Sequence, residues 1–305
     1  MRRLRLAVGA AAAAASLGLP DAALAHGDRV PTSELASAWE PSPAVLAAAG
    51  LALVLFGQAF VRLRRRGRPD HAPWTRVPLF LLGLALLTLP LVSPLDAVGA
   101  EYLLSGHMLQ HVLIGDAAPA LLLVAVRGPL VFFLLPGGLL RALARVDLVR
   151  TVLAFLLRPV VSFGAWALAF AAWHVPAAYD AALAHPAVHD LEHLSFVVAG
   201  VLAWTQLVDP ARRRELGVRG RLAFAVALFA AGLALSDVLI FSFDPLYGPY
   251  AAQDERLVGL SPLVDQRLAG LAMMLEQTLT LGIFAAVVLR GGQRRAAAKP
   301  AALRS

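Results

Sequence analysis

The chain has 305 residues, of which 59% are hydrophobic and 15% are charged. A water-soluble domain of this length cannot bury so much apolar surface in one core, so lipid must surround much of the chain. The net charge of +7 is carried by arginines in short clusters between apolar segments, which form no continuous basic face, so we expect no nucleic-acid partner. The absence of cysteine excludes disulfides and thiolate metal sites.

The first 25 residues are organised like a secretory signal peptide. A basic start (MRRLR) precedes an Ala-rich apolar stretch, and residues 23–25 (Ala-Leu-Ala) match a cleavage site. Cleavage makes His26 the first residue, and the alternative is an uncleaved signal anchor. In either case we expect residues 26–42 to form an outer N-terminal segment.

Seven apolar segments follow, each close to the roughly 20 residues that a helix needs to cross a bilayer. Hydrocarbon offers the backbone no hydrogen-bond partners, so each segment is predicted to be helical. The predicted fold class is all-α, a polytopic membrane bundle of seven transmembrane helices over residues 43–290. The predicted spans are 43–61, 77–95, 102–126, 151–173, 188–208, 222–243 and 267–289. A shorter apolar segment, 129–140, is predicted to be interfacial or re-entrant, and residues 291–305 to be a disordered cytoplasmic tail.

Arginine is concentrated in alternate loops. The connections after the first, third and fifth predicted spans, and the C-terminal tail, are rich in arginine, whereas the other loops carry acids such as Asp96, Asp180 and Asp265. Cytoplasmic loops are the ones enriched in Lys and Arg. The charges therefore predict a multi-pass plasma-membrane protein with its N-terminus outside and its C-terminus in the cytoplasm, which requires an odd number of spans.

Seven of the eight histidines map to the predicted outer side, and only His71 lies in a cytoplasmic loop. Two pairs have i,i+4 spacing near the outer ends of the third and fifth spans, which lets each pair share one metal ion. Polar groups inside a bilayer are costly and usually face a partner or a cavity. We therefore predict a metal site just beneath the outer surface. Its first-choice ligands are His107, His111, His174, His189 and His193.

Three further residues are predicted to act as secondary ligands. Glu192 lies on nearly the same helix face as His189 and can bind the metal or orient an imidazole. Met108 and Met273 offer the soft thioether that favours Cu(I), and ordinary helix packing is the alternative role for these two side chains. Asp116 lies roughly on the opposite helix face from His107, so we expect it to make a different contact, such as a polar pair with a neighbouring helix.

The pattern of residues 189–193 also matches H-x-x-E-H, the inverted zinc-peptidase motif. A membrane zinc metallopeptidase would require a water-filled cleft and a further carboxylate ligand. Bis-histidine haem ligation between two helices is another geometric possibility.

Four motifs lie on four of the predicted helices. They are HMLQH at 107–111 with Ala-Pro at 118–119, WHVP at 173–176 with Tyr179, Glu192-His193 with Phe196 and Trp204, and DQR at 265–267 with Gly270 and Met273. In this order they resemble the CtaG-like family of cytochrome c oxidase assembly factors of bacterial membranes, over about residues 75–290. The chain departs from the family pattern at Asp116 and at residues 274–276.

The resemblance implies a role in forming aa- and caa-type haem–copper oxidases in the bacterial inner membrane, with oxidase subunits as partners and supply of copper as the usual proposal. The matching positions are His107, His111, His174, His193 and Met273. We expect a non-enzymatic assembly factor that binds copper at the outer face. The alternatives are a copper transporter, which needs polar groups continuing to the cytoplasmic side, and the zinc metallopeptidase.

Overall fold

The computed structural model describes residues 29–253 and 255–298 of the chain. This part of the chain is helical throughout and contains no β-strand. The predicted all-helical fold class is therefore confirmed. The predicted signal peptide at 1–25 and His26 lie outside the described residues.

The helices are α1 (Pro43–Arg65), α2 (Arg76–Thr88), α3 (Pro94–Glu101), α4 (Leu104–Val126, with a π-helical turn at Leu113–Ala117), α5 (Gly137–Arg145), α6 (Asp147–Leu156), α7 (Pro159–Trp173), α8 (Pro176–Ala184), α9 (Pro186–Val208), α10 (Val218–Phe241) and α11 (Pro262–Ala298). Shorter helical turns are Leu35–Ser37, Pro69–His71, Leu89–Leu91, Gly128–Phe133, Gly248–Ala251 and Leu257–Gly259. Six of the labelled helices begin with proline, whose fixed φ suits the first helical position and whose missing N–H is not needed there.

Among the described residues, six helices are long and apolar enough to cross a membrane, at Pro43–Arg65, Pro69–Leu91, Leu104–Val126, Pro186–Val208, Val218–Phe241 and Pro262–Gly291. The protein is therefore a multi-pass membrane protein. The segment 129–140 is divided between the turn Gly128–Phe133 and the start of α5 and supplies none of these spans.

The fourth predicted span, residues 151–173, is not one straight helix. α6 and α7 meet at an angle of 73°, because Pro159 forces Arg158 out of the helical region to φ −70° and ψ 134°. α7 has 15 residues and is therefore about 22 Å long, less than the roughly 30 Å of a hydrocarbon core. The described residues thus contain six such spans, or the predicted seven if the bent pair counts as one. The odd number that the loop charges require favours the second count.

The C-terminal boundary also differs from its prediction. α11 continues to Ala298, so residues 291–298 extend a helix where the sequence predicted disorder. Residues 299–305 lie outside the described part of the chain.

α4 lies at the centre of the bundle and packs against α2, α9 and α11. Its backbone is in contact with that of α9, because a Cβ at Gly200 would overlap the carbonyl oxygen of Gly115. Small residues allow such close approach between membrane helices. This contact brings the histidine-bearing faces of α4 and α9 together.

α1 is less tightly held than α4. Its buried contacts lie toward its C-terminal end, where Phe56, Phe60 and Leu63 pack with α2 and the turn Gly128–Phe133. Its N-terminal half therefore stands apart from α9, and a cleft separates the two helices.

Candidate metal centre

The candidate ligands lie at the ends of α4 and α9 that the loop charges place outside, called the outer ends below. His107 and His111 are one turn apart on α4, and His189, Glu192 and His193 occupy one face of α9. Side chains three or four residues apart share a helix face. The two histidines of α4 therefore face the three candidate ligands of α9. All five side chains are buried, and those of His107 and Glu192 are 0% exposed.

Four of these residues converge on one point. One ligand atom from each of His107, His189, Glu192 and His193 lies within 4.8 Å of the other three, and we call this set the four-donor cluster. His107 Nε2 is 3.8 Å from Glu192 Oε2. Donors around a tetrahedral ion with bonds of about 2.1 Å are about 3.4 Å apart, so shifts of roughly 1 Å close the cluster on an ion.

His111 lies directly beside the four-donor cluster. Its Nε2 is 3.8 Å from Glu192 Oε1, and its ring centroid is 4.3 Å from that of His107 and 5.3 Å from that of His193. Neither ring nitrogen of His111 makes a hydrogen bond to any described residue. His111 is therefore placed to serve as a fifth donor.

Tyr250 fixes the ring of His107. Tyr250 Oη donates to the carbonyl oxygen of Gly99 at 2.6 Å and lies 3.2 Å from His107 Nδ1. Because the phenol proton points to Gly99, Nδ1–H is the donor to Oη, and the ring's lone pair is on Nε2, toward Glu192. Burial raises the pKa of Tyr250 well above its usual value, so the phenol keeps its proton and this orientation.

The beginning of α4 is held by α11. Asp265 Oδ2 accepts a hydrogen bond from the Leu104 N–H at 2.7 Å, and Oδ1 accepts one from the Ser105 N–H at 3.1 Å. Free N–H groups at a helix start need such partners. The first residue of the DQR motif therefore positions the turn that carries His107.

A family model described as "Cytochrome c oxidase caa3 assembly factor" matches residues 54–294. The chain belongs to this family. The match runs from the middle of α1 into α11 and includes the whole four-donor cluster, and it confirms the resemblance that the four motifs indicate. No curated protein and no solved structure matches the chain.

The four-donor cluster of this assembly factor borders a cleft of about 590 Å³ between α1, α2 and α9. Ala48 and Ala52 of α1 line one wall, and His189 and His193 lie on the opposite wall. The acidic residues at the cleft are Glu40, Asp96 and Asp190, all at outer helix ends or in outer segments. The cleft therefore joins the cluster to an acidic rim.

The other predicted ligands lie outside the four-donor cluster. His174, at the end of α7, donates from Nδ1 to the carbonyl oxygen of Phe170 at 2.7 Å. Met108 and Met273 are each 1% exposed and pack in the core with Tyr179. Together with His111, they line a small separate cavity.

Sequence reasoning missed Tyr250 and the anchoring role of Asp265. Tyr250 lies in the one-turn helix Gly248–Ala251, where no periodic pattern marks a functional side chain. Asp265 belongs to a quoted motif, but its hydrogen bonds to α4 cross 160 residues of sequence. Only the packing of α11 on α4 reveals that contact.

Proposed function

We propose that the protein binds copper at the four-donor cluster and His111, and supplies it to a caa3-type cytochrome c oxidase from the outer side of the membrane. The observation that carries this proposal is the convergence of His107, His189, Glu192 and His193 within 4.8 Å. Membership of the caa3 assembly factor family supports the oxidase as the partner.

The electrostatics of Glu192 favour a bound cation. Both carboxylate oxygens are buried and make no hydrogen bond to a described residue, and a carboxylate in such surroundings is costly unless it is protonated or paired with positive charge. A metal ion between Glu192 and the imidazoles supplies that charge. Imidazole and carboxylate donors suit copper and zinc alike, and the copper content of haem–copper oxidases favours copper here.

The surroundings of the cluster favour delivery at the outer surface over transport across the bilayer. The cleft with its acidic rim reaches His189 and His193 from the outer side. The inner half of α4, Ala118–Val126, is wholly apolar and offers no ligands for a path to the cytoplasm. A transporter, the second candidate function, requires such ligands.

The interpretation of H-x-x-E-H as a zinc-peptidase motif lacks one required metal ligand. A zinc peptidase needs a further carboxylate ligand, and within the described residues the four-donor cluster contains only Glu192. We therefore propose a non-enzymatic role.

The test compares three forms of the purified protein by copper titration and metal analysis. His189→Ala/His193→Ala is expected to lose the copper held at the cluster. His185→Ala is the matched control, because His185 precedes His189 by one turn but is exposed, and it is expected to bind copper as the wild type does. Oxidase activity in a deletion strain should be restored by the control but not by the double variant. Unchanged copper binding in the double variant contradicts the proposal.

A further inference from the structure

The small cavity beside the four-donor cluster is a distinct chamber. It has a volume of about 20 Å³, enough for one water molecule or one ion. α4, α7, α9 and α11 all contribute to its wall. The residues that matter here are Met108, His111, Asp116, His174, Met273 and Glu276.

His174 directs a lone pair into this chamber. Because its Nδ1 donates to Phe170 O at 2.7 Å, Nε2 is the unprotonated nitrogen. Nε2 is buried and makes no hydrogen bond to a described residue, and His174 as a whole is 7% exposed. Metal-binding histidines are commonly fixed by a backbone carbonyl in this manner.

His111 connects the chamber with the four-donor cluster. Its ring is 5% exposed, and its Nε2 faces Glu192 at 3.8 Å. The other nitrogen, Nδ1, is also buried and has no hydrogen bond to a described residue. The imidazole of His111 thus lies between the chamber and the four-donor cluster.

Two carboxyl groups lie at the deeper end of the chamber. Asp116 accepts hydrogen bonds from Trp204 Nε1 and, at 3.4 Å, from Thr280 Oγ1, and Glu276 lies next to it, close enough for the two carboxyl groups to interact. Among the described residues, no lysine or arginine lines the chamber. Negative charge at this depth must be balanced by a proton or a bound cation.

The remaining donors are soft. Met108 and Met273 are each 1% exposed and line the chamber with His111 and His174. Thioether and imidazole together suit Cu(I). A single carboxylate balances the single positive charge of Cu(I).

We propose that this chamber is a second metal site, which takes Cu(I) between His111, His174 and the Met108–Met273 pair, with Glu276 balancing the charge. This second-site proposal rests on the proposed function, in which copper is the metal that the protein supplies. The shared His111 makes the chamber a holding position next to the outer cluster.

The test uses Cu(I) added anaerobically to the purified full chain, with stoichiometry measured by competition against a chromophoric chelator and ligation by X-ray absorption. The chain has no cysteine and four methionines, so any copper–sulfur scattering must come from methionine. The wild type is expected to bind two equivalents with a copper–sulfur contribution. Met108→Leu/Met273→Leu should retain one equivalent without sulfur, and Met274→Leu, the matched control outside the chamber wall, should retain both.

Two further variants separate the chamber from the outer cluster. His189→Ala/His193→Ala should lose one equivalent and keep the copper–sulfur signal. Glu276→Gln, which preserves side-chain shape, should weaken Cu(I) binding in the chamber at least tenfold. One equivalent with only nitrogen and oxygen ligands in the wild type overturns the chamber and leaves the outer site standing. No copper binding at all overturns both, and a normal chamber affinity in Glu276→Gln overturns the role of Glu276.

Discussion

The outer and inner halves of α4 and α9 differ sharply in what they bury. At the outer end these helices bury imidazoles, the Glu192 carboxyl and the Gln110 amide, all shielded from solvent. At the inner end the same helices contribute residues such as Ala125, Leu207 and Val208 to two apolar cores. Polar groups in a membrane interior are expensive. Their concentration at one end therefore indicates that the chemistry of this protein is confined to one side of the bilayer.

One inner-half side chain shows how a polar group is used for structure alone. Gln206 Nε2 donates to Ser162 Oγ at 2.9 Å and to Leu157 O at 3.0 Å. The second bond satisfies a carbonyl at the bend between α6 and α7, where no helical partner exists. The amide nitrogen of Gln206 donates both of its hydrogen bonds to neighbouring residues, whereas both Glu192 oxygens lack a hydrogen bond to any described residue. That contrast separates a structural polar residue from a ligand candidate.

The largest effect is expected from Glu192→Gln at the outer end. The change removes the negative charge between His107 and His111, and we expect metal affinity at the cluster to fall about 100-fold, or about 2.7 kcal/mol. The measurement is a copper dissociation constant by competition titration. An affinity within twofold of the wild type removes Glu192 from the ligand set.

Tyr250→Phe should have a smaller effect on the same measurement. Phenylalanine cannot accept from His107 Nδ1 or donate to Gly99, so the imidazole loses its orientation, and affinity is expected to fall about tenfold. Tyr102→Phe is the control, because Tyr102 Oη donates to Val30 O instead. Equal effects from both variants would point to general loosening of the outer loops.

Gln206→Leu sharpens the comparison from the inner end. The variant removes the Gln206 hydrogen bonds to Ser162 Oγ and Leu157 O, although the Arg213 guanidinium still donates to Leu157 O at 3.3 Å. We therefore expect a loss of about 1 kcal/mol in stability. Copper affinity should remain unchanged. Thermal unfolding in detergent, measured beside the titration, checks both expectations, and a fall in affinity would show that the two halves are coupled.

The smallest effect is expected at the acidic rim. Asp190→Asn should slow copper loading two- to threefold at low salt, with the difference disappearing at high salt, because attraction of a cation to the cleft is screened. The equilibrium affinity should stay the same. The control for these stopped-flow measurements is Asp244→Asn, because Asp244 is an exposed acid outside the cleft. An equal reduction in the loading rate of the control would argue against entry of copper through the cleft.

Asp116 shows where a straight helical wheel fails. The wheel places Asp116 opposite His107, and its contacts with Trp204 and Thr280 on neighbouring helices fit that expectation. Yet Asp116 lines the same chamber as His111. The π-helical turn Leu113–Ala117 adds a residue to one turn and shifts the phase of the helix, which the sequence pattern does not reveal.

The sequence by itself determined the all-helical fold and the spans other than the bent fourth one, because length, hydropathy and the backbone's need for internal hydrogen bonds are local properties. It also determined which residues share a face, since the i,i+4 pairs on α4 and α9 follow from helix geometry. Only the tertiary structure decided that His189 and Glu192 join His107 while His174 lines a separate chamber. The close contact at Gly115 and Gly200 and the hydrogen bonds that Tyr250 and Asp265 make with other segments made that division. These are contacts between distant segments, and hydropathy and helical period carry no information about them.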